Sequence, residues 1–561
     1  MSVSVPSTFA FSQGALCQSS VQQFKSFVYS TQRMQSVQPM AEKNSDNLLY
    51  QTRSVTIRPD EEPYEYCDNV TALANNLENA VLYRLRQVMF ATSKNPSEWT
   101  KNELEVMNEI RDAIPSMGSK YKMPTAGKFF LGYDFLIKLF SETKNPDMYA
   151  EGLSTHFAQN AVKTVVENWK GYFASLKKWK KDNSSYTGKP GLPGYHHKGG
   201  HCTATVSNQE AVIHEVNGFW FLKLPYRGTK WLWIPFGKAV SGVRLKEATI
   251  TPNNGVYVIT IVLQSEKEKP ALNSEPNRIA SIDTGVNNLM AVTNNCGLQS
   301  VLYKGEICKS VNQWYNKRAA EIVSEQTRKT GKKFVPTDEY RRLTQKRNNR
   351  IKDILLKTAN HFVQWCVENR IDTVVMGYNP GQKQEINIGD SNNQNFVQIP
   401  FSLLRKTISY LCERAGIRYV EQEESYTSKA SFVDGDYIPV YGVDDENAVF
   451  SGKRRPTRYN GMYKKGGFRG LYRTKNGTII NSDLNGSANI LRKAFPDAFK
   501  NGVLPDFGMP LIFRHTDMVV DAINRTVQKV FYRFPSKAKW ERIVRKCSLD
   551  SGSPAGIELC G

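Results

Sequence analysis

Ile282-Asp283-Thr284-Gly285-Val286-Asn287-Asn288-Leu289 and, far downstream, Asn481-Ser482-Asp483-Leu484-Asn485-Gly486-Ser487-Ala488-Asn489-Ile490 are the stretches that decide how this chain is read. Each sets one acidic residue among small and apolar neighbours. Segments of this kind bring distant carboxylates together around hard divalent cations, which prefer oxygen ligands. Two aspartates alone would leave a pair of such ions under-neutralised, so a third carboxylate is expected from elsewhere in the chain.

Around the first stretch the pattern is α/β. From about residue 278 one strand carries Asp283 and a second lies near Leu289–Val292. A long basic helix is predicted from about Tyr340 to Asn369, with an apolar stripe of Leu343, Ile351, Ile354, Leu355, Phe362 and Cys366. Its other face bears Arg341, Arg342, Lys346, Arg347, Arg350 and Lys352. Ile371–Met376 reads as a buried strand, followed by a helix at about 400–415 and the strand Ile417–Val420.

Upstream the texture differs. Ser54–Arg58 alternates like a single strand. Helical patterns follow, with Leu73, Leu77, Val81, Leu85 and Val88 on one stripe. A second helical stretch, from about Met148 to Lys181, ends in the basic tip Lys177, Lys178, Lys180 and Lys181 around Trp179. Lys189-Pro190-Gly191-Leu192-Pro193-Gly194 breaks any helix. Segments from about 201 to 265 read as strands, with Asn253-Asn254-Gly255 as a hairpin turn. A helical block is thus inserted between an early strand and a later β-rich module.

Length predicts more than one domain, and the apolar fraction of 40% is enough to build real cores. The formal net charge of +22 points to a polyanionic partner. Composition alone leaves a ribosomal or other RNA-binding protein without chemistry as the alternative. The nine cysteines include no C-x-x-C pair, which argues against a disulfide framework and a zinc ribbon. No apolar run approaches the length of a membrane span, so a soluble chain is expected. Residues 1–41 lack Asp and Glu; a disordered extension is preferred there over a transit-like leader, because Arg33 is the one arginine.

Residues 451–475 hold nine Lys or Arg and no acid, interleaved with Tyr459, Tyr463, Phe468 and Tyr472. Aromatics spaced among cations favour contact with a single strand or with phosphates. His196-His197-Lys198-Gly199-Gly200-His201-Cys202 is read as a basic, nucleic-acid-facing loop rather than a zinc site, since no second Cys pair closes a tetrahedron.

Taken together, these residues resemble a known family. Asp283-Thr284-Gly285-Val286-Asn287-Asn288-Leu289 resembles the first RuvC motif of TnpB, the RNA-guided nuclease of bacterial insertion sequences, and of its eukaryotic relative Fanzor. Asn481-Ser482-Asp483-Leu484-Asn485-Gly486 is similar to the third motif, N-A-D-x-N-G. Asn395-Phe396-Val397-Gln398-Ile399-Pro400-Phe401 and the stretch from Glu423 to Ser431 also match, so the resemblance covers about 50–500. It implies a multidomain α/β protein: a RuvC nuclease of RNase H-like fold with a wedge-type β-barrel and a helical recognition insert.

On that resemblance the chain divides into an extension (1–48), a first wedge strand (49–66), the helical lobe (67–185) and the rest of the wedge barrel (186–275). RuvC segments at 276–424 and 481–505 then flank a target-nucleic-acid-binding insert at 425–480, and a tail follows at 506–561.

Two departures from the family matter. Many members carry a catalytic Glu directly after the strand matching Ile371–Met376, and here that position is Gly377. The insert usually holds two zinc-binding Cys pairs; here it holds none, and Ser431 stands where a Cys often sits, so no zinc is expected.

The third carboxylate is therefore sought in Glu423-Glu424, which follow the next strand. Neighbouring strands lie about 4.8 Å apart, within reach of a long Glu. Some lineages of the family resemble this, with the Glu in an E-x-Y-T-S setting, and Glu424 fits that spacing. Strand alternation prefers Glu424 and leaves Glu423 as the alternative. The resemblance implies two Mg²⁺ ions, Asp283 bridging both, and Glu424 and Asp483 each holding one.

The expected activity is RNA-guided cleavage of double-stranded DNA next to a short flanking motif, by a transposon-derived, monomeric protein bound to an omega-type guide RNA. The alternatives are a nuclease-dead RNA-guided regulator and an RNase H-fold transposase. Expected nucleic-acid contacts are Lys177, Lys178, Lys180, Lys181, Arg342, Lys346, Arg347, Arg350, Lys453, Arg454, Arg455, Arg458, Lys464, Lys465 and Arg469. The extension and the tail favour a Fanzor and hence a nucleus, whereas a bacterial host would place the protein in the cytoplasm or nucleoid; an organelle leader stays open.

Overall fold

The computed structural model describes residues 35–36, 48–184, 186–216, 218–226, 230–272, 275–379, 398–443, 448–468 and 470–518. It divides into two units, one ending at Lys267 and the other running from Glu268. The leader reading falls almost wholly outside these residues.

The first unit opens with β1 (Gln35–Ser36) and β2 (Leu48–Ile57). Four helices follow: α1 (Pro63–Ala91), α2 (Lys101–Met117), α3 (Tyr133–Glu142) and α4 (Thr155–Lys181). Pro63 starts α1 where its missing N–H is not needed. A capping box opens α2: Glu103 N–H donates to Thr100 Oγ1 at 3.3 Å and Thr100 N–H to Glu103 Oε2 at 2.7 Å. The predicted stripe of α1 is buried at Leu77, Val81, Leu85 and Val88.

Six strands complete the unit: β3 (Ala204–Ser207), β4 (Val212–Val216), β5 (Phe219–Tyr226), β6 (Lys230–Lys238), β7 (Val243–Asn253) and β8 (Val256–Glu268). β7 and β8 form the expected hairpin, with Asn254 and Gly255 both at positive φ. The strands pair as two four-stranded sheets, β2-β8-β7-β3 and β1-β4-β5-β6, and both contribute to one core shared with the helices.

The second unit is built on a six-stranded mixed sheet. Its strands are β9 (Ile279–Asp283), β10 (Asn288–Asn294), β11 (Val301–Lys304), β12 (Thr373–Tyr378), β13 (Arg418–Glu423) and β19 (Leu511–Phe513), in the order β13-β12-β9-β10-β11-β19. β9, β12 and β13 run parallel, and β10 is antiparallel to both of its neighbours. β19 corrects the sequence reading: residues assigned to a tail after 505 supply a strand at the far edge, parallel to β11.

Among the described residues three helices lie between these strands: α5 (Glu306–Thr330), α6 (Asp338–Glu368) and α7 (Phe401–Ala415). α8 (Ser482–Ala494) follows the insert. The insert itself carries short strands β14 (Lys453–Arg454), β15 (Arg458–Tyr459), β16 (Met462–Tyr463), β17 (Leu471–Arg473) and β18 (Ile479–Asn481).

Strand alternation sorts the two faces of the sheet. Ala280, Ile282, Val374 and Met376 join a core with Ile354, Leu355 and Phe362 of α6 and Leu404 and Ile408 of α7. Ile279 and Val375 face the other way, onto Ile490 and Leu491 of α8. Asp283 and Gly377 share the parity of that second face, so they meet α8.

Candidate active site

The parallel strands β9, β12 and β13 end at one edge of the sheet, and Asp283, Gly377 and Glu424 stand at those ends. The crevice outside the carboxyl ends of parallel strands is where open α/β sheets bind ligands. Tyr378 pairs with Glu423, and the Glu424 N–H donates to Tyr378 O at 3.2 Å, so the chain keeps its strand path one residue past β13.

Glu424 turns its carboxylate across Gly377. A β-carbon at Gly377 would stand 2.6 Å from Glu424 Oε2 and 2.6 Å from Ile490 Cδ1. The glycine that departs from the family pattern therefore makes the room that Glu424 occupies. Glu423 goes elsewhere. Its Oε2 accepts from Lys493 Nζ at 2.7 Å and its Oε1 from the Ser425 N–H at 2.6 Å. Burial works against its charge, yet Lys493 and Ser425 hold its carboxyl below the usual range.

Asp483 lies in the first turn of α8. Asn481 caps that helix, accepting from the N–H groups of Asp483 and Leu484 at 2.9 and 3.1 Å. Asp483 Oδ2 accepts from Asn288 Nδ2 at 2.8 Å, and Asn288 Oδ1 in turn accepts from Lys304 Nζ at 3.0 Å. Asp483 Oδ1 lies 3.4 Å from Arg454 Nη2 of the insert.

The second motif explains itself residue by residue. A β-carbon at Gly486 would collide with Asp283 Oδ2. Ser487 joins Ser281 and Thr293 in a buried hydroxyl cluster: Ser281 Oγ donates to Ser487 O at 2.8 Å, Ser487 Oγ donates to Ser281 O at 2.9 Å, and the Ser487 and Thr293 hydroxyls lie 2.9 Å apart. These small side chains let α8 approach the sheet closely at the level of Asp283.

The electrostatics follow from this crowding. Burial raises the Asp283 carboxyl well above the usual range; the negative charges of Glu424 and Asp483 add to that, and Arg454 opposes it. Glu424 is pushed up to about 7, first by burial and then by Glu423, with Arg405 opposing. Arg405 sits over the Tyr378 ring, 4.1 Å from its centroid, and 3.2 Å from Glu421 Oε1. A buried carboxyl crowded by neighbouring negative charge, as Asp283 is, is poised to accept a cation.

Oxygen-only donors fit a hard divalent ion such as Mg²⁺. As the side chains stand, Asp483 is turned to Asn288 and Arg454, and among the described residues no three His, Cys, Asp or Glu close into a metal-ligand cluster. Sequence reasoning missed Asn288, Gly486 and Ser487 as parts of the site, although all three stand inside the quoted motifs.

The predicted nucleic-acid residues separate into groups. Lys177, Lys178, Lys180 and Lys181 are exposed at the end of α4, and Arg342, Lys346 and Arg350 are exposed on α6. Lys346 lies over the exposed Trp314 ring, 5.4 Å from its centroid. Lys453, Arg454, Arg455, Arg458, Lys464 and Lys465 are exposed on the insert, and Arg469 lies outside the described residues. Arg347 is half-buried. Its guanidinium donates to Asn312 Oδ1 at 2.9 Å and Gln398 O at 2.5 Å, tying α5 to α6 and to the start of α7.

The His196–Cys202 loop is largely exposed, and two of its side chains also engage α1. His196 Nε2 lies 2.7 Å from Glu78 Oε2, and His201 Nδ1 lies 3.1 Å from Thr71 Oγ1.

Hydrogen bonds organise the insert around two aspartates. Asp434 Oδ2 accepts from Ser431 Oγ at 2.5 Å and the Lys475 N–H at 2.9 Å. Asp436 accepts from the Ser431 N–H at 2.7 Å and Ser451 Oγ at 2.6 Å. The fully buried Tyr472 donates to Lys429 O at 2.8 Å.

Parts of the chain are similar to known proteins. Residues 262–382 match the family model OrfB_IS605, described as a probable transposase, and residues 401–490 match that of the Cas12f1-like TNB domain. The TnpB-like protein ORF457 of Acidianus two-tailed virus is 29% identical over 225 residues, 39% of this chain and 42% of that relative. The matched region thus spans less than half of the relative's length. Among solved structures, a Cas12f1–sgRNA–target DNA complex superposes with a TM-score of 0.44 at 13% identity, covering 79% of this chain and 99% of that one. The mini-RNA-guided endonuclease CRISPR-Cas phi3 gives 0.34 at 10% identity, covering 86% and 97%.

Proposed function

We propose that this chain is an RNA-guided DNA endonuclease of transposon origin, with a RuvC-type site of Asp283, Glu424 and Asp483. The observation that carries this reading is the seating of Glu424 across Gly377 beside Asp283, with Asp483 opening α8 close by. The similarity of 262–382 and 401–490 to the two family models supports it.

Asp283, Glu424 and Asp483 would hold Mg²⁺, which when bound supplies charge neutralisation and Lewis-acid polarisation at a scissile phosphate. Asn288 and Asn481 orient Asp483, while Gly377 and Gly486 leave space around the other two carboxylates. The basic faces of α4, α6 and the insert bind the phosphate backbones of guide and target, and base pairing with the guide reads sequence. Tyr459, Tyr463 and Phe468, set among the insert's cations, supply stacking faces for unpaired bases.

Asp283→Ala or Asp483→Ala abolishes cleavage by the purified ribonucleoprotein while nucleic-acid binding persists. Glu424→Ala does the same, and full activity in that variant would remove Glu424 from the site. Sequencing the RNA that co-purifies yields a discrete species; a uniform mixture of host RNAs would sink the guided reading.

A further inference from the structure

α8 grips the chain that carries Glu424 at three successive heights. Asn485 Nδ2 donates to Ala430 O at 2.8 Å while its Oδ1 accepts from the Phe432 N–H at 3.0 Å. One turn on, Asn489 Nδ2 donates to Thr427 O at 2.8 Å and Ala430 O at 2.7 Å. One turn further, Lys493 Nζ donates to Glu423 Oε2 at 2.7 Å and Ser425 O at 3.2 Å. Spacing of four residues sets all three side chains on one stripe of the helix.

The same helix carries Asp483 in its first turn, so one rigid element fixes two of the three carboxylates. Lys493 is the charged member of the stripe. Its side chain is largely buried while that of Glu423 is partly exposed, so the pair sits at the edge of the packed helix. Glu424 sits between the two residues that Lys493 holds, Glu423 and Ser425. From the other side, Thr427 Oγ1 donates to Glu424 O at 2.7 Å.

We infer that Lys493, acting through Glu423 and Ser425, is a positioning residue that holds Glu424 in the metal site; this rests on the three-carboxylate reading above. Beyond β13 the Glu424 N–H keeps one ladder bond, to Tyr378 O, and the Lys493 clamp adds the hold that further strand pairing would give a glutamate inside the strand. The paired glutamates then divide the work. Glu423 anchors the backbone, and Glu424 faces the metal.

The test is Mn²⁺ binding to the full chain, measured by calorimetry, with thermal melting as a control for folding. Lys493→Met weakens Mn²⁺ binding about 10-fold, the scale on which supporting contacts act on metal affinity. Lys493→Arg, which keeps the charge and a donor, restores most of it. Glu423→Gln breaks the same ion pair from the other side at constant volume and gives a similar loss, which covers the case in which Lys493→Met does not fold. Wild-type Mn²⁺ affinity in both Lys493→Met and Glu423→Gln, with weak binding in Glu424→Gln, would overturn the positioning role and leave the metal site standing. Wild-type affinity in Glu424→Gln would overturn the three-carboxylate reading and the clamp with it.

Discussion

At Gly377 the missing side chain is the functional feature. A β-carbon there would stand 2.6 Å from Glu424 Oε2, well inside van der Waals contact, and Ile490 at the same distance blocks retreat. Gly377→Ala therefore displaces Glu424 from Asp283. A misplacement of about 1 Å costs on the order of 100-fold in rate, so cleavage by Gly377→Ala falls by about that factor while nucleic-acid binding is kept. Single-turnover cleavage beside a filter-binding assay checks this, and an unimpaired rate would break the link between the glycine and the relocated glutamate. Gly486→Ala acts on the other side of the site: its added carbon collides with Asp283 Oδ2, and the same assay shows a comparable loss. Sequence reading found Gly377 as the place where a carboxylate was missing. It could not show why a glycine stands there, because the reason is a side chain from the neighbouring strand.

α8 is the element on which the site depends, and its docking is polar where it matters most. Ser487, Ser281 and Thr293 exchange buried hydroxyl hydrogen bonds beneath Asp283. Ser487→Ala removes one hydroxyl without adding bulk and leaves those partners short of a hydrogen bond, which costs about 1–3 kcal/mol; thermal melting reads this as a lowered Tm. The insert makes a separate prediction. Burial works against the charge of Asp434, but Ser431, Lys475 and Ser451 hold its carboxyl below the usual range. A depressed carboxyl contributes stability above its unfolded pKa of about 3.9, and that contribution is lost as pH falls through the folded value. Protection of the insert's amides against exchange, corrected for the intrinsic rate at each pH, therefore falls below about pH 4, and Asp434→Asn, which already lacks the charge, removes that acid step. Legibility differs by element. The strands bearing Asp283 and Val374, the amphipathic α6 and the 253–255 hairpin were readable, because apolar periodicity and turn residues carry them. α5 escaped notice because its charged residues leave only a sparse buried stripe, Cys308, Val311, Ala319 and Ile322. β19 escaped because three residues show no period, and pairing with β11 alone makes them a strand. The clamp of Asn485, Asn489 and Lys493 was hidden because polar residues at helical spacing look the same on a solvent face and on a buried one. The packing contacts of Arg347 were hidden for a related reason: it lies in a run of basic residues, and only its hydrogen bonds to Asn312 and Gln398 set it apart.

Over the whole molecule the net charge of +22 is shared between surfaces on both units, the α4 tip on the first and the α6 face and insert on the second. If both surfaces neutralise phosphates of the same bound nucleic acid, each contributes its own counterion release. The logarithm of the binding constant then falls with the logarithm of salt, with a slope of about 0.9 per duplex phosphate neutralised. Replacing Lys177, Lys178, Lys180 and Lys181 by glutamine lowers that slope by up to about 3–4. Replacing Lys453, Arg455, Arg458, Lys464 and Lys465 lowers it by a similar amount, and the combined variant shows the sum. Neither set touches Asp283, Glu424 or Asp483, so under saturating, low-salt conditions the cleavage rate of the bound complex stays near that of the parent. Filter binding over about 50–500 mM salt, about one decade, separates the outcomes. A slope unchanged by the α4 set would confine nucleic-acid binding to the second unit. Loss of cleavage at saturation in the insert variant would mean that its cations act on the reacting strand itself, as the reach of Arg454 to Asp483 already allows for one of them.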